Sequence, residues 1–302
     1  MRKFTLAMAT IATALLPFGV TASEGIFTKS LKGNGNKIIE NRKSAMLFSE
    51  VAVSNCVHLV ISDRRDGDIL VRTDENIMPH VVMEVRNGVF YARLENTSAR
   101  KMENVRIDIE MPYNGNIREI NAVAASSVTV VPPLEATEVE LNASGASFIV
   151  ANVQAKSLEV DLSGASSAKI SATIDEMEVS VSGASKAEIE RATCRDCDIE
   201  ATGASKITGY LSVNKCNIEA SGASKINLTG SAHQAEFEIS GASKLNASGF
   251  VTEHCSVEAS GASAAYVHCT NTLSAEALGS SKVGYSGDCR LNIASQAIFK
   301  QN

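Results

Sequence analysis

One four-residue phrase recurs along most of this chain and restricts what it can fold into. Ser-Gly-Ala-Ser, or a near copy, places glycines at Gly145, Gly164, Gly183, Gly203, Gly222, Gly241, Gly261 and Gly279, at intervals of 18 to 20 residues. Ala124-Ala125-Ser126-Ser127 is a degenerate earlier copy. Self-similarity at a short fixed period is the mark of a repeat architecture, in which each unit buries its apolar face against the next. The copy Cys216-Asn-Ile-Glu-Ala-Ser-Gly-Ala-Ser-Lys-Ile226 alternates with period two before the glycine, as a strand with one buried face does.

The columns agree from copy to copy. Val139, Leu158, Met177, Cys197, Cys216, Ala235, Cys255 and Leu273 share one column, and Leu141, Val160, Val179, Ile199, Ile218, Phe237 and Val257 share another. Both are apolar and are expected to point inward. So are the alanines after the glycine, Ala146 to Ala262, and Ile149, Ile207, Ile226, Leu245 and Val283 beyond them. The alternation breaks at Gly-Ala-Ser, which predicts a corner where glycine supplies backbone angles other residues resist. About 19 residues are too few for a strand, a helix and a return, and far fewer than the roughly 40 of a propeller blade. The expected fold is therefore all-β: a parallel β-helix whose turns run strand, corner, strand, corner, strand, right-handed by analogy with parallel crossovers, with coils about 4.8 Å apart.

Three segments follow from this reading. Residues 1–22 read as a signal peptide: Arg2 and Lys3, an apolar run from Phe4 to Leu16, and small residues ending at Ala22. No later run in the mature chain is apolar enough to span a membrane. Residues 119–302 form the solenoid. Residues 23–118 lack the motif and read as a β-rich cap, with strands expected over Leu47–Val53, Cys56–Ile61, Asp68–Arg72, His80–Arg86, Val89–Leu94 and Val105–Glu110 and a hairpin turn at Asn87-Gly88.

The order Gly33-Asn-Gly-Asn-Lys-Ile-Ile-Glu-Asn-Arg42, Asp74-Glu-Asn-Ile-Met-Pro79, Glu84-Val-Arg-Asn-Gly-Val-Phe90, Arg106–Pro112 and then Ser-Gly-Ala-Ser-Lys coils resembles the family named putative auto-transporter adhesin, head GIN domain. The resemblance runs over the whole mature chain. It implies an exported β-solenoid of the kind common in Bacteroidetes, and it brings no catalytic residues with it. This chain has more Ser-Gly-Ala-Ser coils than a minimal member and no separate membrane barrel.

Composition narrows the function. A net charge of −6 disfavours nucleic acid as a partner. Of the seven cysteines, Cys197, Cys216 and Cys255 sit in an apolar column and are read first as small hydrophobes. Cys197 and Cys216 lie one coil apart, within reach of a disulfide, which is the alternative reading. His58, His80, His233, His254 and His268 fall at no ligand spacing. The motif serines recur in every coil, whereas catalysis needs one distinctive constellation, so Ser147, Ser166, Ser185, Ser205, Ser224, Ser243 and Ser263 are read as a hydrogen-bonding ladder. No catalytic, metal-binding or cofactor-binding residue is expected. The sequons at Asn142, Asn227 and Asn246 follow from an Asn- and Ser-rich repeat.

Two charged rows are the candidate binding surface: Glu200, Glu219, Glu238, Glu258 and Glu276, and Lys186, Lys206, Lys225, Lys244 and Lys282. Like charges stacked at strand spacing repel by roughly 0.9 kcal/mol per neighbour in water. The rows are either a solubilising surface or a grip for a repetitive ligand such as a surface glycan or another envelope protein. The expectation is a non-enzymatic adhesin or envelope scaffold in the periplasm, at the cell surface or secreted. The alternatives are a polysaccharide-degrading enzyme on a β-helix and a structural protein that self-associates through its ends.

Overall fold

A computed structural model describes residues 30–43, 47–95, 102–293, 295 and 297–301. The signal peptide expected at residues 1–22 lies outside the described residues. The chain is all-β and forms a parallel β-solenoid of about nine turns at roughly 19-residue spacing. One short 3-10 turn, Met78–His80, is its helical content among the described residues. Both apolar columns stack in register, Cys197 against Cys216 and Ile199 against Ile218, then Ala235 and Phe237, then Cys255 and Val257. All are buried, and they join one continuous core that runs from Leu31 to Val283.

The corner lies where the motif places it. Every motif glycine has φ between +68° and +77°. The alanine N–H that follows donates to the glycine carbonyl one coil back, as Ala223 does to Gly203 at 2.7 Å, so the backbone ladder passes through the corner unbroken. The alanines themselves face outward, contrary to expectation, and the serines take the buried place. The left-handed glycine turns the chain out of its alternation, so the inward position falls one residue later. A buried hydroxyl needs partners. Ser166 donates to the carbonyls of Ser163 and Ala143, and Ser281 to those of Leu278 and Ala259, at 2.8–2.9 Å. Ser166, Ser224 and Ser281 each close their own corner and tie it to the coil before, whereas the buried Ser205 hydroxyl finds no partner among the described residues.

The second corner expected in each turn is not a break. In the later coils one strand, such as Lys186–Ala201 or Lys244–Ala259, wraps nearly the whole turn. Bends are absorbed by bulges. One skips Glu190, where Ile170 pairs with Ile189 but Ser171 pairs with Arg191. Another lies before Gly249. These bulges carry the extra residue of the 20-residue coils, since a bulge inserts one residue while the ladder resumes beyond it.

The N-terminal part supplies rungs of the same stack. Glu50–Ser54 pairs in parallel with Glu119–Val123 on one side and with Val89–Leu94 on the other. Val57–Ser62 is likewise held between Ser127–Val130 and Ile107–Pro112. The order in space is thus 89–94 with 107–112, then 50–62, then 119–130, which is not the order in the chain. Residue 119 marks where the motif begins rather than where the stack begins. Beyond the first rung the pairing turns antiparallel: Val81–Arg86 folds back on Val89–Leu94 through Asn87 and Gly88, both at positive φ, as a hairpin of primed type requires. Asp68–Asp74 runs antiparallel to Ile107–Pro112, and Lys37–Lys43 to Asp68–Asp74. The outermost of these, KIIENRK, is short, exposed and charged, which blunts it as an edge. At the other end Arg290–Ile293 forms the last rung on that side, with Leu291 and Ile293 exposed.

Candidate binding surface

Two faces flank the Gly-Ala crest of the corners. On the strand entering each corner, Glu200, Glu219, Glu238, Glu258 and Glu276 stand in register, one per coil. With Thr202, Ser221, Ser240 and Ser260 they line a shallow groove of about 310 Å³. The Glu238 carboxyl is pushed above its ordinary value by desolvation and then by Glu219 and Glu258 on either side.

A second acidic column, two residues earlier, extends this face and escaped the sequence reading. Glu50, Glu119, Glu140, Glu159, Glu178 and Asp198 follow one another across six rungs before Asn217 interrupts them. The copy chosen to represent the motif carries that Asn217, which hid the column. Tabulating the position in every coil would have found it. The column borders a groove of about 690 Å³, together with Arg118, Glu138, Glu176, Asp196 and Lys215. Desolvation, then mutual repulsion, raises Glu159, Asp161 and Glu178. Amides relieve part of the strain. Asn121 donates to both Glu50 and Glu119, at 3.0 and 2.9 Å, and Asn217 donates to Asp198.

On the strand leaving each corner Lys186, Lys206, Lys225 and Lys244 form an unbroken exposed row. Lys282 stands apart, because Ala264 holds the rung between. Next to the lysines runs a column of Lys169, Glu188, Thr208, Asn227 and Asn246. Lys186 pairs with Glu188 at 3.0 Å, and the Lys244 ammonium lies 5.3 Å from the centre of the Tyr266 ring. Thr208, Gly209, Asn227, Asn246 and Gly249 line a shallow groove of about 420 Å³ on this face. Glu188 and Glu190 also line it.

All seven cysteines are free thiols. Cys197 does sit directly opposite Cys216, but no bridge joins them. In-register side chains on neighbouring parallel strands stay near the strand spacing of about 4.8 Å, whereas a disulfide brings Cβ atoms to about 3.5–4.5 Å. Burial pushes the Cys255 thiol well up; Cys194 pulls Cys197 down, but Cys216 and burial outweigh it and the Cys197 thiol rises too. Such thiols behave as core hydrophobes rather than nucleophiles. Two of the scattered histidines are not scattered in space: His233 and His254 meet beside Glu253. No helix among the described residues is long and apolar enough to cross a membrane.

Comparison with known proteins matches this architecture. No curated protein matches the sequence. Among solved structures, a putative adhesin from Parabacteroides merdae aligns with a TM-score of 0.52 at 16% identity, covering 91% of this chain and all of the other. A putative adhesin from Parabacteroides distasonis aligns at 0.51 and 17%, covering 90% of this chain and 99% of the other. At such identity the likeness is one of fold. The family model described as "Putative auto-transporter adhesin, head GIN domain" matches residues 47–212 and 199–289. The match crosses residue 119 just as the core does, and this chain belongs to that family.

Proposed function

We propose that the protein is an exported, non-enzymatic binding protein that grips an extended anionic polymer, a surface glycan first, along its lysine face. One observation carries this reading. Lys186, Lys206, Lys225 and Lys244 repeat at the coil pitch beside a shallow groove whose lining includes Thr208, Asn227 and Asn246, so the same donors recur along one line. A polymer with a regular charge spacing makes one weak contact per coil, and linked weak contacts add as avidity. The family's adhesin name and the adhesin names of the structural neighbours agree with a binding role. The test is a glycan array probed with the wild type and with Lys206→Ser/Lys225→Ser/Lys244→Ser. Loss of binding to acidic glycans in the triple variant alone supports the reading. Unaltered binding refutes it.

The carboxylate groove favours a second reading. Glu159 and Glu178 are direct register neighbours with raised carboxyls, and paired carboxylates of that kind cleave glycosidic bonds in other proteins. Against it, the carboxylates repeat one per rung along the groove, with Arg118 and Lys215 as its cations, so no one pair is set apart from the others. Release of reducing ends from a polysaccharide by wild type and not by Glu159→Gln/Glu178→Gln would establish catalysis.

A further inference from the structure

His233 and Glu253 are 20 residues apart, and His254 follows Glu253 directly. Ala232 pairs with Thr252 and Gln234 with His254, so His233 lies opposite Glu253 across one rung. His233 Nδ1 is 3.0 Å from Glu253 Oε2. The two imidazoles meet edge to face with ring centres 5.4 Å apart. One ligand atom from each of the three side chains lies within 4.8 Å of the others. Asn271, on the next rung, brings its amide nitrogen to 3.5 Å from His254 Nε2. His233 and Glu253 are exposed, and His254 is half-buried.

We propose that His233, Glu253 and His254 form a surface site for a divalent transition-metal ion of the zinc class. Two imidazole nitrogens and one carboxylate oxygen make a donor set that suits zinc, copper and nickel, and not the all-oxygen shells of calcium and magnesium. Bonds of about 2.0–2.2 Å to a central ion require donor atoms to lie a few ångströms from one another. The three side chains already come near that spacing from a rigid ladder, and small rotations of exposed side chains close the rest. The ladder matters because the backbone fixes the spacing between rungs, so little ordering is left for the ion to impose. Three protein ligands leave further coordination positions open to water or to a group from a partner. The site is independent of the lysine face and does not rest on it.

The experiment is equilibrium dialysis of the purified chain, with reductant, against zinc, and separately cobalt(II) spectroscopy. The expected result is one zinc per chain at micromolar concentration, with affinity falling at least tenfold in His233→Ala and in His254→Ala and binding by calcium or magnesium absent. The surface positions of both histidines keep the variants folded, which circular dichroism checks. Cobalt is expected to show visible bands of nitrogen and oxygen coordination without the near-ultraviolet thiolate transition. Equal zinc affinity in wild type and in the double histidine variant overturns the proposal, as does a thiolate band that persists in that variant, since the ion would then sit on cysteine. Glu253→Gln separates two arrangements inside the proposal: loss comparable to a histidine variant makes the carboxylate a ligand, and a smaller loss makes it the group that orients His233.

Discussion

Gly222→Ala tests the corner at the heart of the repeat. The residue sits at φ +75°, and a Cβ built there lies 2.6 Å from the carbonyl oxygen of Gly203 and 3.0 Å from its nitrogen. Both atoms are backbone and cannot swing away. The left-handed conformation alone costs an alanine about 1–2 kcal/mol. Relief of the clash must lift the corner off its neighbour. That strains the 2.7 Å bond from Ala223 N–H to Gly203 and loosens the Ser224 hydroxyl from Ala201, which it now reaches at 3.0 Å, a loss of about 1 kcal/mol for each bond. The expected destabilisation is about 3–4 kcal/mol in all. Gly145 is the internal control. It has nearly the same φ, +77°, but its nearest neighbour would be Ala124 nitrogen at 3.2 Å. Gly145→Ala therefore carries mainly the backbone term, about 1–2 kcal/mol. Urea unfolding followed by far-ultraviolet circular dichroism measures both, and hydrogen exchange at the Ala223 amide localises the effect. Equal losses at the two sites would refute the coil-to-coil contact and leave backbone preference alone. Gly222→Asn sharpens the test, since asparagine tolerates the left-handed region better yet keeps the Cβ, and it is expected to remain clearly destabilised.

Ile218→Asp should unfold several coils or lower the melting temperature severely, because it buries a charge in a column that is 1% exposed, while exposed Glu219→Ser changes little. Equal melting temperatures would dismiss the column assignment. Stability should rise as pH falls from 7 toward roughly 4.5: Glu159, Asp161 and Glu178 have raised values in the folded chain, so the folded state binds more protons there than the unfolded one. Below that the trend reverses, since Asp74, held low by Lys37, and Glu84, held low by Arg93, lose their stabilising charge on protonation. A stability maximum at neutral pH would contradict the acidic face as described. Glu238→Gln should raise the melting temperature in low salt and do so less in about 1 M salt, where screening shortens to about 3 Å. A gain that ignores salt would point to something other than relief of repulsion.

Much of this fold was legible because an in-register stack writes each inward column into the sequence at the coil period. Ile199, Ile218 and Phe237 announce themselves that way, and so do the Glu200 and Lys206 rows. Three features stayed hidden for physical reasons. Alanine and serine are both small, and hydropathy gives alanine the inside; only the left-handed glycine before them reverses the phase, so Ala223 is exposed and Ser224 buried. The placement of Glu50–Ser54 between Val89–Leu94 and Glu119–Val123 is a long-range pairing without a motif to mark it. His233, Glu253 and His254 differ in residue type, so no column shows them, and they meet only when the coil period is applied to unlike residues.

The order of rungs at the N-terminal end bears on how the molecule is made in time. The segment 50–62 leaves a ribosome or a translocation pore before either of its neighbours, yet both its edges are taken, by strands around 89–112 and 119–130. Its two edges can be filled only after residues beyond 89 and beyond 119 have been made, so this end of the stack closes on long-range pairings. Each later coil instead pairs with the coil made just before it. A stack lengthened or shortened among those later coils leaves the pairings of segment 50–62 untouched.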